Sequence, residues 1–219
     1  MPLIDRKALP ERIVDVMRSR IIAGTLAPDT SIRQDALAAE LGVSKIPVRE
    51  ALARLEQDGL IVSQANRGFF VAPLSAEEAY DVFGLRLRIE PDAVAWACDR
   101  AGSDDRVRAR RALDALNAAI AGHTPEIGAC NRAFHLSLIR PGDRQVTLQI
   151  VERLHVLAER YVFKHLEPSS RNARAEAEHE ALFESWAAGD ASAAAARTTA
   201  HIEATLADLT DQFQAAETA

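Results

Sequence analysis

Between Leu60 and Ala72 the spacing of apolar residues changes, and this change restricts the folds open to the chain. Two short β-prone runs, Leu60–Ser63 and Phe69–Ala72, flank the stretch Ala65-Asn66-Arg67-Gly68. Asn and Gly readily adopt turn conformations, so the segment predicts a β-hairpin. On both sides of it, apolar residues recur at helical spacing. The sequence therefore predicts a mainly α protein that contains one hairpin.

Three helices are predicted before the hairpin, at about 10–22, 34–41 and 44–59. Gly24 and Gly42 end the first two, and Ser44 is placed to cap the third. Only the four-residue turn "GVSK" separates the second helix from the third. Helix, short turn, helix and hairpin in this order predict a winged helix-turn-helix.

After Pro73 the helical pattern continues along the rest of the chain. It begins with a capping box, in which Ser75 is followed three residues later by Glu78. Gly and Pro breaks then predict helices at about 104–121, 125–140, 144–167, 171–188 and 191–215. We expect two domains, 1–74 and 75–219, the second an antiparallel helical bundle.

Charge and composition bear on partners and compartment. The chain of 219 residues has a net charge of −6, but residues 1–74 carry a net charge of +1 and residues 75–219 one of −7. The first domain is therefore compatible with a basic surface that faces DNA. Cys98 and Cys130 are expected to be free thiols in a reducing compartment. No apolar run approaches the roughly 20 residues of a membrane span, so a cytoplasmic protein without membrane contact is expected.

Two cations, Lys45 and Arg49, lie at the start of the third helix, where the helix dipole disfavours positive charge. In a winged helix-turn-helix this helix enters the DNA major groove, and phosphates and guanine edges supply the missing negative charge. The alternative is a solvated charged face on an ordinary helix pair. The residues predicted to bind DNA are Arg33, Ser44, Lys45, Ile46, Pro47, Arg49, Arg54, Arg67 and Gly68.

Three of the six histidines have suggestive spacing. Asn131 and His135 are four residues apart and share a helix face. His179 and His201 lie at nearly equal distances from the break at Gly189-Asp190, so an antiparallel helix pair brings them level. Three imidazoles and one oxygen donor suit Zn, Ni, Mn or Fe. Spacing alone leaves open the alternative of ordinary core histidines.

A resemblance to a known family adds to this interpretation. The stretch "DALAAELGVSKIPVREALARLEQDGLIV" followed by "NRGFFV" resembles the DNA-binding domain of GntR-type bacterial transcription regulators. It departs from the usual pattern at Lys45, where Arg is commoner, and at Ile46, where Thr is common. The resemblance implies operator binding by residues 8–74.

Residues 76–219 resemble the helical FCD effector domain of the FadR-like branch of this family, through "FGLRLRIEPDAVAWA", "NRAFHLSL" and "EHEALFESWAAGDASAAAA". The resemblance implies a divalent metal, Zn, Ni or Mn, held by Asn131, His135, His179 and His201. Asn131 replaces the usual Asp and is a weaker, neutral donor. The resemblance also implies a small carboxylate effector, with Arg86 as its clamp. The alternative for Arg86 is a helix surface pair with Glu90.

Together these features predict a homodimeric transcription regulator that binds an operator with an inverted repeat. One alternative is a metal-dependent helical-bundle enzyme, although no HExxH, Gly-rich phosphate loop or G-x-S-x-G motif is present. The other is a dimerisation module that binds no effector.

Overall fold

The computed structural model describes residues 8–124, 126–165 and 169–217. They form two compact units, the first ending at Leu74 and the second beginning at Ser75. Helices make up most of both units, and the predicted mainly α fold is confirmed. Within the described ranges, none of the helices combines the length and the hydropathy that crossing a bilayer requires.

In its described part, residues 8–74, the first unit contains three helices and a small antiparallel sheet of order β1-β3-β2. The predicted helix boundaries are found within two residues: the first helix begins two residues earlier than expected, and the third ends two residues earlier, at Gln57. Strand β1 was not predicted, because two residues are too few to show an alternating pattern. The elements are α1 (Ala8–Ile22), β1 (Ser31–Ile32), α2 (Gln34–Leu41), α3 (Lys45–Gln57), β2 (Ile61–Gln64) and β3 (Gly68–Val71).

The predicted hairpin is formed by β2 and β3, with Gln64 opposite Gly68. Asn66 and Gly68 both have positive φ, 60° and 92°, so the turn uses the two residue types that tolerate this conformation. Strand β1 adds to the far side of β3, with Ser31 opposite Phe70. The wing is thus a three-stranded sheet and not an isolated hairpin.

One face of α3 is completely buried, through Val48, Leu52 and Leu55. They pack in a core with side chains of α1, among them Ile13 and Met17. Burial of a Val or Leu side chain contributes about 1.5–3 kcal/mol. The apolar face therefore fixes the orientation of α3 and leaves its polar face at the surface.

The predicted capping by Ser44 is only half correct. Ser44 occupies the N-cap position with extended backbone, but its side chain makes no capping hydrogen bond. A capping hydroxyl normally accepts from the N–H of the second or third helical residue. The third residue here is Pro47, which has no N–H. Its presence removes one of the two usual partners of the Ser44 hydroxyl.

Over the residues that the structure describes, the second unit is a bundle of six helices with a 3-10 turn at Arg140–Gly142. The predicted helices are found within one or two residues of the expected bounds. The predicted start at 125 and end at 167 lie outside the described residues. The helices are α4 (Ala76–Cys98), α5 (Ser103–Gly122), α6 (Ile127–Ile139), α7 (Gln145–His165), α8 (Ser169–Ala187) and α9 (Ala191–Glu217).

Half of the predicted capping box at the start of α4 is present. The Ser75 hydroxyl accepts from the N–H of Glu78 at 3.3 Å. The second bond of a capping box, from the Ser75 N–H to the Glu78 carboxylate, is replaced by two bonds through Tyr161. The Ser75 N–H donates to the Tyr161 hydroxyl at 3.2 Å, and that hydroxyl donates to the Glu78 carboxylate. Tyr161 thus connects the start of α4 to α7.

Helix α6 packs against α4, α5 and α7 and is the most enclosed helix of the bundle. It approaches α7 closely at Gly128, where an added Cβ would lie 3.1 Å from the Cβ of Glu159. Asn131 and His135 follow one and two turns later, and both are buried. The fold therefore holds two polar side chains of α6 inside the core.

Candidate nucleic-acid interface and metal centre

An open groove of about 1090 Å³ runs between the start of α3, the start of α2 and the wing. Its four cations are Arg33 at the N-cap of α2, Lys45 and Arg49 in the first turns of α3, and Arg67 in the turn of the wing. Six of the predicted DNA-binding residues line this groove: Arg33, Lys45, Ile46, Arg49, Arg67 and Gly68.

Ile46 is unusual among these residues because it is apolar and 69% exposed. It lies in the first turn of α3, between the two cations Lys45 and Arg49. In the major groove, an apolar side chain at such a position suits the methyl group of thymine. The combination of donors and one apolar contact is typical of a surface that distinguishes base edges.

Three other predicted residues do not line the groove: Ser44, Pro47 and Arg54. Arg54 lies on the side of α3 that faces α1, and its Nη1 is 3.5 Å from Oε1 of Glu11. Both side chains are more than half exposed. The structure therefore separates Arg54 from the cations of the groove.

In the second unit, the structure brings together His135, His179 and His201. One ring nitrogen from each lies within 4.8 Å of the corresponding atoms of the other two, and all three side chains are buried. The turn at Gly189 places His179 and His201 side by side, with ring centroids 4.5 Å apart. Equal spacing from that turn, read from the sequence, correctly indicated this pairing.

His135 carries the clearest chemical signal in the cluster. Both of its ring nitrogens are buried and have no hydrogen-bond partner among the residues that the structure describes. Burial, reinforced by neighbouring histidines and Arg86, holds the pKa of His135 well below the ordinary value of 6.5. The ring is therefore a neutral imidazole with available lone-pair capacity, which is the form that binds metal ions.

His201 is oriented by the carboxylate of Glu178, a residue that the sequence offered only as one of three candidate bases, with Glu176 and Glu180, for the enzyme alternative. Its Nδ1 lies 2.8 Å from Oε2 of Glu178. Metal-binding histidines usually donate their second ring N–H to such a group, which fixes the tautomer and the ring orientation. This contact leaves Nε2 of His201 directed away from Glu178 and suited to coordination.

Arg86 and Glu90 form an ion pair, but the expectation of a surface pair is wrong. Both side chains are almost fully buried. Arg86 Nε donates to Glu90 Oε1 at 2.6 Å, and Nη2 donates to Oε2 at 3.3 Å. Burial alone would raise the pKa of Glu90, yet Arg86 and His155 together lower it to about 2. Glu90 is therefore a buried anion held between two nitrogen groups.

His155 extends this pair toward the three histidines. Its Nε2 is 3.2 Å from Glu90 Oε1 and 3.5 Å from Arg86 Nη2. Its ring is stacked on that of His135, with the two ring centroids 5.1 Å apart. Glu90, His135 and His155 form a second group of possible metal ligands. This group is less suited to a metal ion. The Glu90 carboxylate is already paired with the Arg86 guanidinium, whose positive charge would repel the metal.

The remaining predicted ligand, Asn131, lies in the same place as the histidines. Asn131, His179, His201 and Arg86 line a cavity of about 10 Å³, which is near the smallest volume that holds one water. The His135 ring lies beside His179 and His201 although it does not line this cavity. Three imidazoles and the amide oxygen of Asn131 are donors of the kind that transition-metal ions accept. The residues present are thus compatible with a divalent metal.

The fold of the first unit places this chain in the class of winged-helix DNA-binding regulators. Residues 9–71 match the family described as bacterial regulatory proteins of the gntR family, and residues 81–204 match the FCD domain. The chain belongs to the GntR family and combines its helix-turn-helix domain with an FCD domain. Proteins of this family are transcription regulators, so the enzyme alternative is wrong.

Individual relatives agree with this assignment. The HTH-type transcriptional regulator YdhC of Bacillus subtilis is 31% identical over 56% of this chain and 56% of its own, so the match spans about half of that relative. The HTH-type transcriptional repressor GlaR of Escherichia coli is 30% identical over 67% of this chain and 69% of its own. A GntR regulator structure from Rhodococcus sp. RHA1 has a TM-score of 0.79 at 23% identity, covering 92% of this chain and 97% of its own, and supports the fold.

Proposed function

We propose that DNA binding by this regulator is controlled by a small carboxylate effector that binds at a divalent metal in the second unit. The observation that carries the proposal is the buried His135 ring, which has two unsatisfied nitrogens beside His179 and His201. A buried polar atom without a partner is costly, and a bound metal removes that cost for the ring nitrogen that coordinates it.

The ligand charges favour an anionic effector. Asn131, His135, His179 and His201 are all neutral as metal ligands, so a bound Zn, Ni or Mn ion keeps its full positive charge. A metal of this kind supplies a strong anchor for an oxygen ligand. A carboxylate offers that oxygen and also neutralises a charge that is buried at low dielectric.

Arg86 lines the same cavity and is proposed as a second contact for the effector. Glu90 fixes one edge of its guanidinium, so the group is held in one orientation before the effector arrives. The cavity of about 10 Å³ accepts a metal and about one water but no organic acid. Effector binding therefore requires the lining side chains to move, which is how the ligand can favour one state of the protein.

For the first unit, we propose that the groove contacts an operator and that two copies of the chain bind an inverted repeat in the cytoplasm. A single recognition helix reads only one half-site, so operators with two-fold symmetry match dimeric proteins. In the second unit, Val146 and Ile150 are one turn apart on α7 and are 71% and 46% exposed. Exposed apolar residues of this kind support a contact between two copies.

Elemental analysis of the purified protein tests the metal site. We expect about one divalent metal per chain in the wild type and almost none in the double variant His179→Ala, His201→Ala. His123→Asn is the matched control, because His123 is an exposed histidine outside the cluster with left-handed backbone that Asn tolerates. The control should keep its metal, whereas unchanged metal in the double variant would contradict the site.

A thermal-shift screen of small carboxylates on the metal-loaded and chelator-treated protein tests the effector. A ligand of the native state raises the melting temperature. A carboxylate that stabilises only the metal-loaded protein supports the proposal. The absence of any metal-dependent shift would support the remaining alternative, a dimerisation module without an effector.

A further inference from the structure

The groove contains one acidic residue among its cations. Asp35 lies in the first turn of α2, and its side chain is 76% exposed. Among the residues lining the groove, all of them within the part of the chain that the structure describes, Asp35 is the only carboxylate. A carboxylate facing DNA repels phosphates, so its position calls for a specific role.

Asp35 is paired with a groove cation. Its Oδ1 lies 2.6 Å from Nζ of Lys45, whose side chain is also mostly exposed. Such an exposed pair contributes little to folding because water screens both charges. The two groups instead present a donor and an acceptor side by side at the open face of the groove.

We propose that Asp35 is a specificity-determining residue that acts together with Lys45 to read one G·C base pair. This inference rests on the proposed role of the groove in DNA binding. In the major groove, guanine presents the acceptors O6 and N7, and its paired cytosine presents the N4 donor. The Lys45 ammonium donates to the guanine while the Asp35 carboxylate accepts from the cytosine.

The same pair reduces binding to other sequences. Where no G·C pair is available, Asp35 neutralises Lys45 and withholds one cation from the phosphates. Binding to DNA of unrelated sequence depends almost wholly on such cation–phosphate contacts. Asp35 therefore increases the ratio of specific to non-specific affinity in two ways: it strengthens binding to the specific site and weakens binding to other sequences.

The test uses the full-length protein and the variant Asp35→Ala. Glu40→Ala is the matched control: Glu40 is on the same helix, is also exposed, and pairs with one cation, Arg20, at 2.5 Å outside the groove. Preferred sites are selected from a random duplex library. Binding to a 30-base-pair duplex of mixed sequence is then measured over a series of salt concentrations.

The wild type and Glu40→Ala should select the same half-site, with a fixed G·C pair at one position, and Asp35→Ala should lose that preference. For mixed-sequence DNA, the slope of log K against log salt should become steeper by about 0.9 per subunit in Asp35→Ala. Affinity near 0.1 M salt should increase about fivefold to tenfold per subunit. In a Lys45→Ala background, the Asp35→Ala change should leave the slope unaltered.

Identical selected sites for the wild type and Asp35→Ala would overturn the inference, as would an unchanged salt dependence. Arg49→Ala, measured in parallel, separates this failure from failure of the groove assignment. If Arg49→Ala binds DNA like the wild type, the groove is not the DNA interface. If it loses specific binding while Asp35→Ala changes nothing, only the role of Asp35 is wrong.

Discussion

The two units place the charged side chains of their candidate sites in opposite environments. In the first, the groove cations are exposed, and Lys45 is paired with Asp35, which is also exposed. In the second, Arg86, Glu90 and His155 are buried and joined by hydrogen bonds. Exposed charges keep their hydration and add little to stability, whereas buried charges persist only with fixed partners. The groove charges are thus available to a ligand, and the buried charges are already part of the folded structure.

The largest effect should follow from breaking the buried pair. Arg86→Met leaves Glu90 without its main partner, and removal of one member of a buried ion pair destabilises a protein by about 3–5 kcal/mol. Denaturant unfolding measures this loss. Arg88→Met, an exposed change two residues along the same helix, should stay within about 0.5 kcal/mol of the wild type. If both variants were equally stable, burial would not be what distinguishes the two units.

An effect of intermediate size is expected from a substitution in the groove. This substitution should weaken DNA binding and leave the stability of the fold almost unchanged. Arg49→Ala removes a groove donor that we propose contacts base edges, and it should weaken specific DNA binding by about 1–3 kcal/mol. Titration of a selected operator measures the loss, and denaturant unfolding should show almost no change. Arg111→Ala, an exposed change in the second unit, is the control and should bind normally. A large loss of stability in Arg49→Ala would remove the contrast between the units.

The smallest effect is expected at Arg54, which was predicted from the sequence to contact DNA. Its pair with Glu11 is exposed at both ends, so Arg54→Ala should change the free energy of unfolding by less than about 0.5 kcal/mol. Operator binding by this variant defines the edge of the interface. A loss as large as that of Arg49→Ala would extend the DNA surface onto the α1 side of α3.

Local signals in the sequence predicted most of the fold. Gly and Pro breaks located the helix ends, and Asn66 and Gly68 marked the turn of the hairpin. The equal distances of His179 and His201 from one turn predicted their proximity. These features depend only on helix geometry and on the conformations that single residues allow.

The missing features depend on distant parts of the chain. His155 is on α7, and no spacing relates it to Glu90 on α4; only the packing of these helices brings them together. The i, i+4 spacing of Arg86 and Glu90 was visible, but their burial was not. The sequence also gave no sign that Asp35 and Lys45 meet, because their contact depends on the angle between α2 and α3.

Gly128 offers a route to tuning this protein as a biosensor component. It has no side chain where α6 meets Glu159 of α7, and Asn131 and His135 follow on the same helix. A larger residue at 128 would press on Glu159 and should shift α6, and with it two of the four proposed metal ligands, without altering any of them. If the proposed sensing function holds, the threshold of an engineered reporter could be adjusted at a position outside the proposed ligand set.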